Sequence, residues 1–224
     1  PAACRMMLLG LLWAAAAPLL LLLPAALLAH GLQRARPAWS HRRRRAVAGA
    51  LTLAAVATLW VPERLHFAQL CTDLGPPRVL QRAQADGIFL DDPTANSFGT
   101  RYLYDEGFTW MEARSIYRRD AFTRYRKVDG RIVTEEIDSL TAAYAVQSTH
   151  EVRDGGVSVQ RTTVSERASG RMLASAAMAH FEGGRAKWVL GAWGSASCPS
   201  PISAEGSAAF QAAYHLARDT LRGR

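Results

Sequence analysis

The first 62 residues contain no Asp, Glu or Lys; seven Arg supply all of their fixed charge. Of the formal charge of +8, this stretch therefore carries +7. Residues 63–224 hold 20 Lys and Arg against 19 Asp and Glu and come out near neutral. A phosphate-binding protein spreads basic charge over the face that meets nucleic acid. Here the excess sits in one terminal segment, which argues against nucleic acid as a partner.

Cysteine is also scarce, with Cys4, Cys71 and Cys198 the full set. No Cys-x-x-Cys occurs, and no His lies beside Cys71 or Cys198, so the spacing of a structural zinc site is missing. Gly-rich phosphate loops, His-Glu-x-x-His, Gly-x-Ser-x-Gly and calcium-loop patterns are all absent. No cofactor or metal is expected, and nothing in the chain amounts to a catalytic signature.

Two runs without charge are present, Met6–Ala29 and Ala46–Val61. The first has 24 residues, enough at 1.5 Å each to cover a hydrocarbon core of ~30 Å. The second has 16, near the short limit, with Arg45 and Trp60 suited to the two interfaces. A buried soluble helix is the alternative for this second run. Between the runs, Leu32–Arg45 carries Arg34, Arg36, Arg42, Arg43, Arg44 and Arg45 and no acid. The positive-inside rule keeps such a loop cytoplasmic. The expected architecture is a transmembrane hairpin over residues 1–62, with both termini and a domain over 63–224 on the periplasmic side of a bacterial inner membrane. A cleaved signal peptide is the rival reading of the first run. Small residues crowd the second run (Ala46, Ala48, Gly49, Ala50, Ala54), which favours close helix packing. The chain starts at Pro1, which points to a fragment of a longer reading frame.

Pro62 is expected to end the second span, with helical pieces over Glu63–Ala85 and a loop over Gly87–Gly99. From Arg101 the pattern is that of strands. Asp129-Gly130, Asp154-Gly155-Gly156, Ser169-Gly170 and Gly183-Gly184 are turn signals, because Gly accepts positive φ and Asp tolerates it. They separate strand-length runs at Phe108–Tyr117, Ala121–Val128, Arg131–Ile137, Ala142–Val152, Val157–Arg167, Met172–Phe181 and Lys187–Trp193. Ser207–Arg222 reads as a covering helix with Ser207 as N-cap and a stripe of Phe210, Tyr214, Ala217 and Leu221. The fold class expected is α+β, an antiparallel meander with flanking helices; barrel-like closure is the alternative. The layout resembles that of bacterial inner-membrane proteins with an N-terminal anchor and a small periplasmic domain.

An exported domain meets an oxidising compartment, so a Cys71–Cys198 disulfide is expected. Closing a loop of over a hundred residues, it is nominally worth about 4–5 kcal/mol in the chain-entropy account. Tyr117, Arg118, Arg119, Arg124, Tyr125 and Arg126 form the densest local feature. They suit an anionic partner such as lipid head groups or an acidic protein face, or else an exposed strand edge guarded by charge. Glu112 and Arg114 share the parity of Trp110 and form a buried pair if that face is internal. Clustered acids such as Asp105-Glu106 fit solvated loop ends. His150 and His180, on expected strands, are the weak candidates for chemistry. The function these features support is a non-catalytic, membrane-anchored domain binding an envelope protein or membrane lipid. A small-ligand sensor and a hydrolase acting on an envelope substrate are the rivals.

Overall fold

The computed structural model describes residues 22–118, 120–200 and 202–222, apart from the side chains of Ser97 and Phe98. Its helices are α1 (Leu22–Ala35), α2 (His41–Leu74), α3 (Asp92–Tyr104), α4 (Lys187–Leu190), α5 (Ala204–Tyr214) and α6 (Leu216–Leu221). Its strands are β1 (Arg78–Val79), β2 (Gly87–Leu90), β3 (Trp110–Arg114), β4 (Phe122–Val128), β5 (Arg131–Ile137), β6 (Tyr144–Arg153), β7 (Val157–Glu166), β8 (Met172–Phe181) and β9 (Ala196–Cys198). The chain forms two compact units. One runs to Asp73 and includes Val152–Ser158 and His180–Ser197; the other holds Leu74–Glu151, Val159–Ala179 and the chain from Cys198 on.

In the first unit, α2 is a single helix of 34 residues, about 51 Å long. It is long and apolar enough, by length and composition, to cross a membrane, and among the described residues it alone is so. Among the described residues the expected two-span hairpin is not found. Only Leu22–Ala29 of the first apolar run falls on described residues, in a helix of 14 residues, and Met6–Leu21 lies outside them. The arginine loop is also shorter than expected. Arg34 belongs to α1, Arg42–Arg45 open α2, and only residues 36–40, with Arg36, lie between.

Pro62 lies within α2 rather than ending it. Proline removes one backbone donor, and a long apolar helix absorbs that loss when neighbouring turns hold. Ala48 and Thr52 are buried one helical turn apart, with the Thr52 hydroxyl donating to the Ala48 carbonyl at 2.9 Å. The expected strand Lys187–Trp193 is instead a series of helical turns over Gly184–Gly194. Gly183 and Gly184 enter it with φ of 99° and 57°, values that turn the chain out of an extended path.

The nine-stranded sheet has the order β1-β8-β7-β6-β2-β3-β4-β5, with β9 paired to β8. The fold is α+β with flanking helices, as expected, but not a simple meander. β2 lies in the centre, parallel to both β3 and β6. Gly87-Ile88-Phe89-Leu90, expected as loop, is a short strand buried on both faces, and such strands read as apolar runs without alternation. Asp91-Asp92-Pro93 is the start of α3: the Asp91 carboxylate accepts from the Thr94 N–H at 3.1 Å, and Pro93 sits in the first turn.

The other hairpins follow the turn signals. Asp129 and Gly130 take φ of 49° and 77°, and β4 and β5 pair antiparallel from Phe122↔Ile137 to Val128↔Arg131. The core lies on one side of the sheet, where Ile88, Leu90, Met111, Val146, Val164 and Leu173 meet Tyr102, Leu103, Leu216 and Leu221. The C-terminal helix breaks at His215 and is capped by Ser203, not Ser207.

Gly87 has no space for a side chain, because a Cβ there would collide with the Trp110 ring. Gly87→Ala is expected to cost about 1–3 kcal/mol through overpacking, read from urea unfolding of the full chain in detergent. An unchanged midpoint would show that the ring is not seated on this strand.

Candidate functional site

The parallel pair β2–β3 determines where a site can form. In open sheets with parallel strands, ligands enter at the carboxyl ends of those strands, where the following connections diverge. Here that end is covered by α3. A groove of about 360 Å³ lies between α3 and the β3–β4 pair. Asp92, Asn96 and Thr100 line it from the helix, and Met111, Arg114 and Tyr125 from the strands. Asp92 and Arg114 form an exposed ion pair at 3.5 Å across its mouth. Ser115 at the strand end donates to Glu136 at 3.3 Å and accepts from the Tyr117 and Arg118 N–H groups. No His or Cys is among the lining residues, and Asp92 is the single carboxylate. The groove therefore offers amide and hydroxyl hydrogen bonding beside apolar surface, without an acid–base pair.

The opposite sheet face has a second hollow of about 380 Å³, lined by Phe89, Gln147, Thr163, Ser165, Arg167 and Met172 among others. On β3 lies a buried charge. Glu112 on β3 is fully buried. Its Oε1 accepts from Arg124 Nη2 at 2.7 Å, Arg124 Nε at 3.1 Å and the Thr141 hydroxyl at 2.8 Å. Its Oε2 accepts from the Thr141 and Ala142 N–H groups at 2.9 and 3.0 Å. Burial pushes the carboxyl upward, but the bonds from Ala142, Arg124 and Thr141 together outweigh it and hold the group below its ordinary value. The face of Glu112 is internal, but its partner is Arg124, the residue opposite it in the β3–β4 register, and not Arg114.

A second buried carboxylate, Glu106, was legible only as part of a solvated-looking acidic pair. His215 Nδ1 lies 2.6 Å from its Oε1, and Arg101 Nη2 lies 3.5 Å from the same atom. Arg101 also donates to the Tyr214 carbonyl at 2.7 Å and stacks on the Tyr214 ring at 3.7 Å. These contacts clasp the α5–α6 break to the end of α3. The neighbouring Tyr102 hydroxyl is pushed up to about 12, chiefly by burial, and so stays protonated. No spacing rule could connect Glu106 with a histidine 109 residues away.

The remaining sequence candidates disperse. Arg118 reaches Glu136 and Asp138, and Arg126 reaches Glu135. Arg124 is taken by Glu112, Tyr125 lines the groove, and Tyr117 is exposed. Arg119 lies outside the described residues. β4 is an inner strand, so the expected guarded edge is β5 instead. His150 is exposed on β6 in the sheet unit; His180 is exposed in the other unit, 3.0 Å from the Ser197 hydroxyl. Cys71 and Cys198 are not joined in a disulfide. Cys71 is held in the last turns of α2, and Cys198 ends a strand paired with β8. Cys4 lies outside the described residues. No group of three or more His, Cys, Asp or Glu suited to a metal occurs among the described residues.

No protein-family model matches the sequence, and no curated protein matches it. Among solved structures the chain is similar to a PelC dodecamer chain from Paraburkholderia phytofirmans. The identity is 15%, over 66% of this chain and 100% of that one, with a TM-score of 0.30. A superposition that loose carries no argument about this protein.

Removing one partner of a buried pair leaves an uncompensated charge. Arg124→Leu is therefore expected to destabilise the sheet unit by about 3–5 kcal/mol, while Glu112→Leu combined with Arg124→Leu recovers most of the loss. A double variant as unstable as Arg124→Leu would show that the arginine acts through packing alone. Because the Glu112 carboxyl is held low, its contribution is complete above its unfolded value and is lost as pH falls through the lowered one. Acid unfolding followed by circular dichroism should accordingly be less steep in Glu112→Gln than in the natural chain.

Proposed function

We infer that this chain is a membrane-anchored, non-catalytic binding domain that takes an envelope component, protein or lipid, on the periplasmic side of a bacterial inner membrane. The observation that carries the reading is the groove between α3 and the β3–β4 pair. It sits at the carboxyl ends of the parallel strands and is lined by hydrogen-bonding and apolar side chains without an acid–base pair. The apolar helix α2 and the arginines from Arg34 to Arg45 support the anchor and its orientation, with the basic segment retained in the cytoplasm. The termini then lie outside if the first apolar run also spans.

A small-ligand sensor is the second reading. The groove volume of about 360 Å³ falls within the range of roughly 300–1,000 Å³ usual for ligand sites. A hydrolase has less behind it, since His150 and His180 are both exposed and belong to different units.

A photo-crosslinking amino acid placed at Asn96 or Thr100 of the full chain, activated in native membranes, tests the reading. Adducts of defined mass are expected from these positions and not from Asp154, on the β6–β7 turn in the other unit. Peptide-bearing adducts favour an envelope protein, and lipid or smaller masses favour a lipid or a sensed ligand. A clean monomer with no adduct at either groove position would overturn the reading.

A further inference from the structure

Two tryptophans stand out as exposed on a segment with no place in the groove or the sheet. Trp188 and Trp193 are 67% and 78% exposed, on the helical turns Gly184–Gly194. Single exposed apolar side chains are ordinary, but two exposed indoles five residues apart on one short segment add up to a sizeable apolar surface, the kind that meets lipid or another protein.

The segment is pinned at both ends to one short stretch of α2. At its start, Arg185 donates to Glu63 through its Nε at 2.6 Å and its backbone N–H at 2.9 Å. At its end, the Trp60 indole N–H donates to the Gly194 carbonyl at 3.1 Å. Trp60 and Glu63 are three residues apart, about 4.5 Å along the helix axis. Glycine makes the fit possible: a Cβ on Gly184 would collide with the Glu63 carboxylate, and one on Gly194 would lie 2.9 Å from Leu190 Cβ. One turn further on, Phe67 is buried and stacks on Phe181 at 5.5 Å. The segment is therefore fixed in height along α2.

That height is where the helix changes character. Towards its start are Leu51, Leu53, Leu59 and Val61, all exposed. Beyond it come Glu63 and Arg64, which are charged. Trp188 carries Lys187 Nζ 5.3 Å from its ring centre, an amphipathic pair with an apolar body and a cationic end. Indole rings with a nearby lysine collect at the head-group level of a bilayer, where one part of the side chain is apolar and the other wet.

We propose that the Gly184–Gly194 segment is a membrane-interface anchor: Trp188 and Trp193 enter the head-group layer beside α2 and, with Trp60, form a belt at the outer end of the span. The proposal rests on the reading of α2 as a span. The occupant is the lipid surface, because the segment is tied to α2 at the level where its uncharged run gives way to Glu63 and Arg64.

Quenching by brominated lipid tests it. The full chain is reconstituted into phosphatidylcholine–phosphatidylglycerol vesicles with bromines either high or low on the acyl chains. Fluorescence is compared with that of Trp188→Phe, Trp193→Phe and the double variant, in which aromatic bulk is kept. The emission lost in the double variant is the signal of the two indoles. High bromines should cut that signal about twofold or more, and low bromines should cut it less. Equal emission in brominated and plain vesicles, or stronger quenching by the low bromines, would overturn the proposal. Alkaline carbonate extraction separates the two readings. A chain that stays in the membrane with unquenched indoles keeps the span and loses the belt. A chain that is extracted, but whose indoles are quenched before extraction, loses the span and with it the belt, and leaves the two indoles in a peripheral contact with lipid.

Discussion

A parallel strand pair cannot be closed by a tight hairpin, so something other than a turn must hold it. That constraint falls on β2, which has a parallel neighbour on each side. Two carboxylates meet it. Asp91, directly after β2, caps α3 through Thr94 and also accepts from the Ser148 N–H on β6 at 3.1 Å. Glu112 on β3 reaches the Thr141 and Ala142 amides just before β6 begins, and Arg124 on β4. Arg167 closes the same corner by donating to the Ala142 carbonyl at 2.6 Å. Both sheet halves are thus latched to the centre by charge-assisted bonds. A latch of this kind is costly to break from one side, because the partner left behind is buried and ionised. The groove exists because β2 and β3 are held in register under α3.

The hairpins were legible because their information is local. Asp129-Gly130 dictates a tight turn, and the flanking residues then pair in mirror order about it. That order also decides the fate of the arginine-rich strand. Arg124 falls opposite Glu135, and Thr123 opposite Glu136. Acids that stand apart in the sequence therefore return to the arginines across the hairpin. Arg118, Arg124 and Arg126 of the cluster meet acids within the fold, and mirror pairing about the turn was the signal that could have shown it.

What stayed hidden has the opposite character. β2 is four residues long, too short for alternation to show, and the Asp-Asp-Pro after it reads equally as a turn or a helix cap. Its membership of the sheet depends on Met111 and Val146, which are far away in sequence. The Glu106–His215 contact and the pairing of Trp60 with Gly194 depend on tertiary position alone. Lys187–Trp193 looked like a strand because aromatic and branched residues favour strands, a preference that context overrides readily. Three positive-φ glycines, Gly183, Gly184 and Gly191, bend the path into helical turns instead.

The charge split between the two parts of the sequence takes on a structural meaning at one residue. Glu63 is the first acid in the chain. Its side chain is largely covered, and both of its oxygens are engaged by Arg185. In the proposed orientation this is the level at which the helix leaves hydrocarbon. A carboxylate two or more turns earlier would sit among lipid chains, where an ionised group is expensive. One turn later it would face Phe67 and Phe181 instead of Arg185. In that orientation the absence of acids from Ala46 to Pro62 and the clasp at residue 63 share one boundary: the first place along α2 where a negative charge is clear of hydrocarbon and paired.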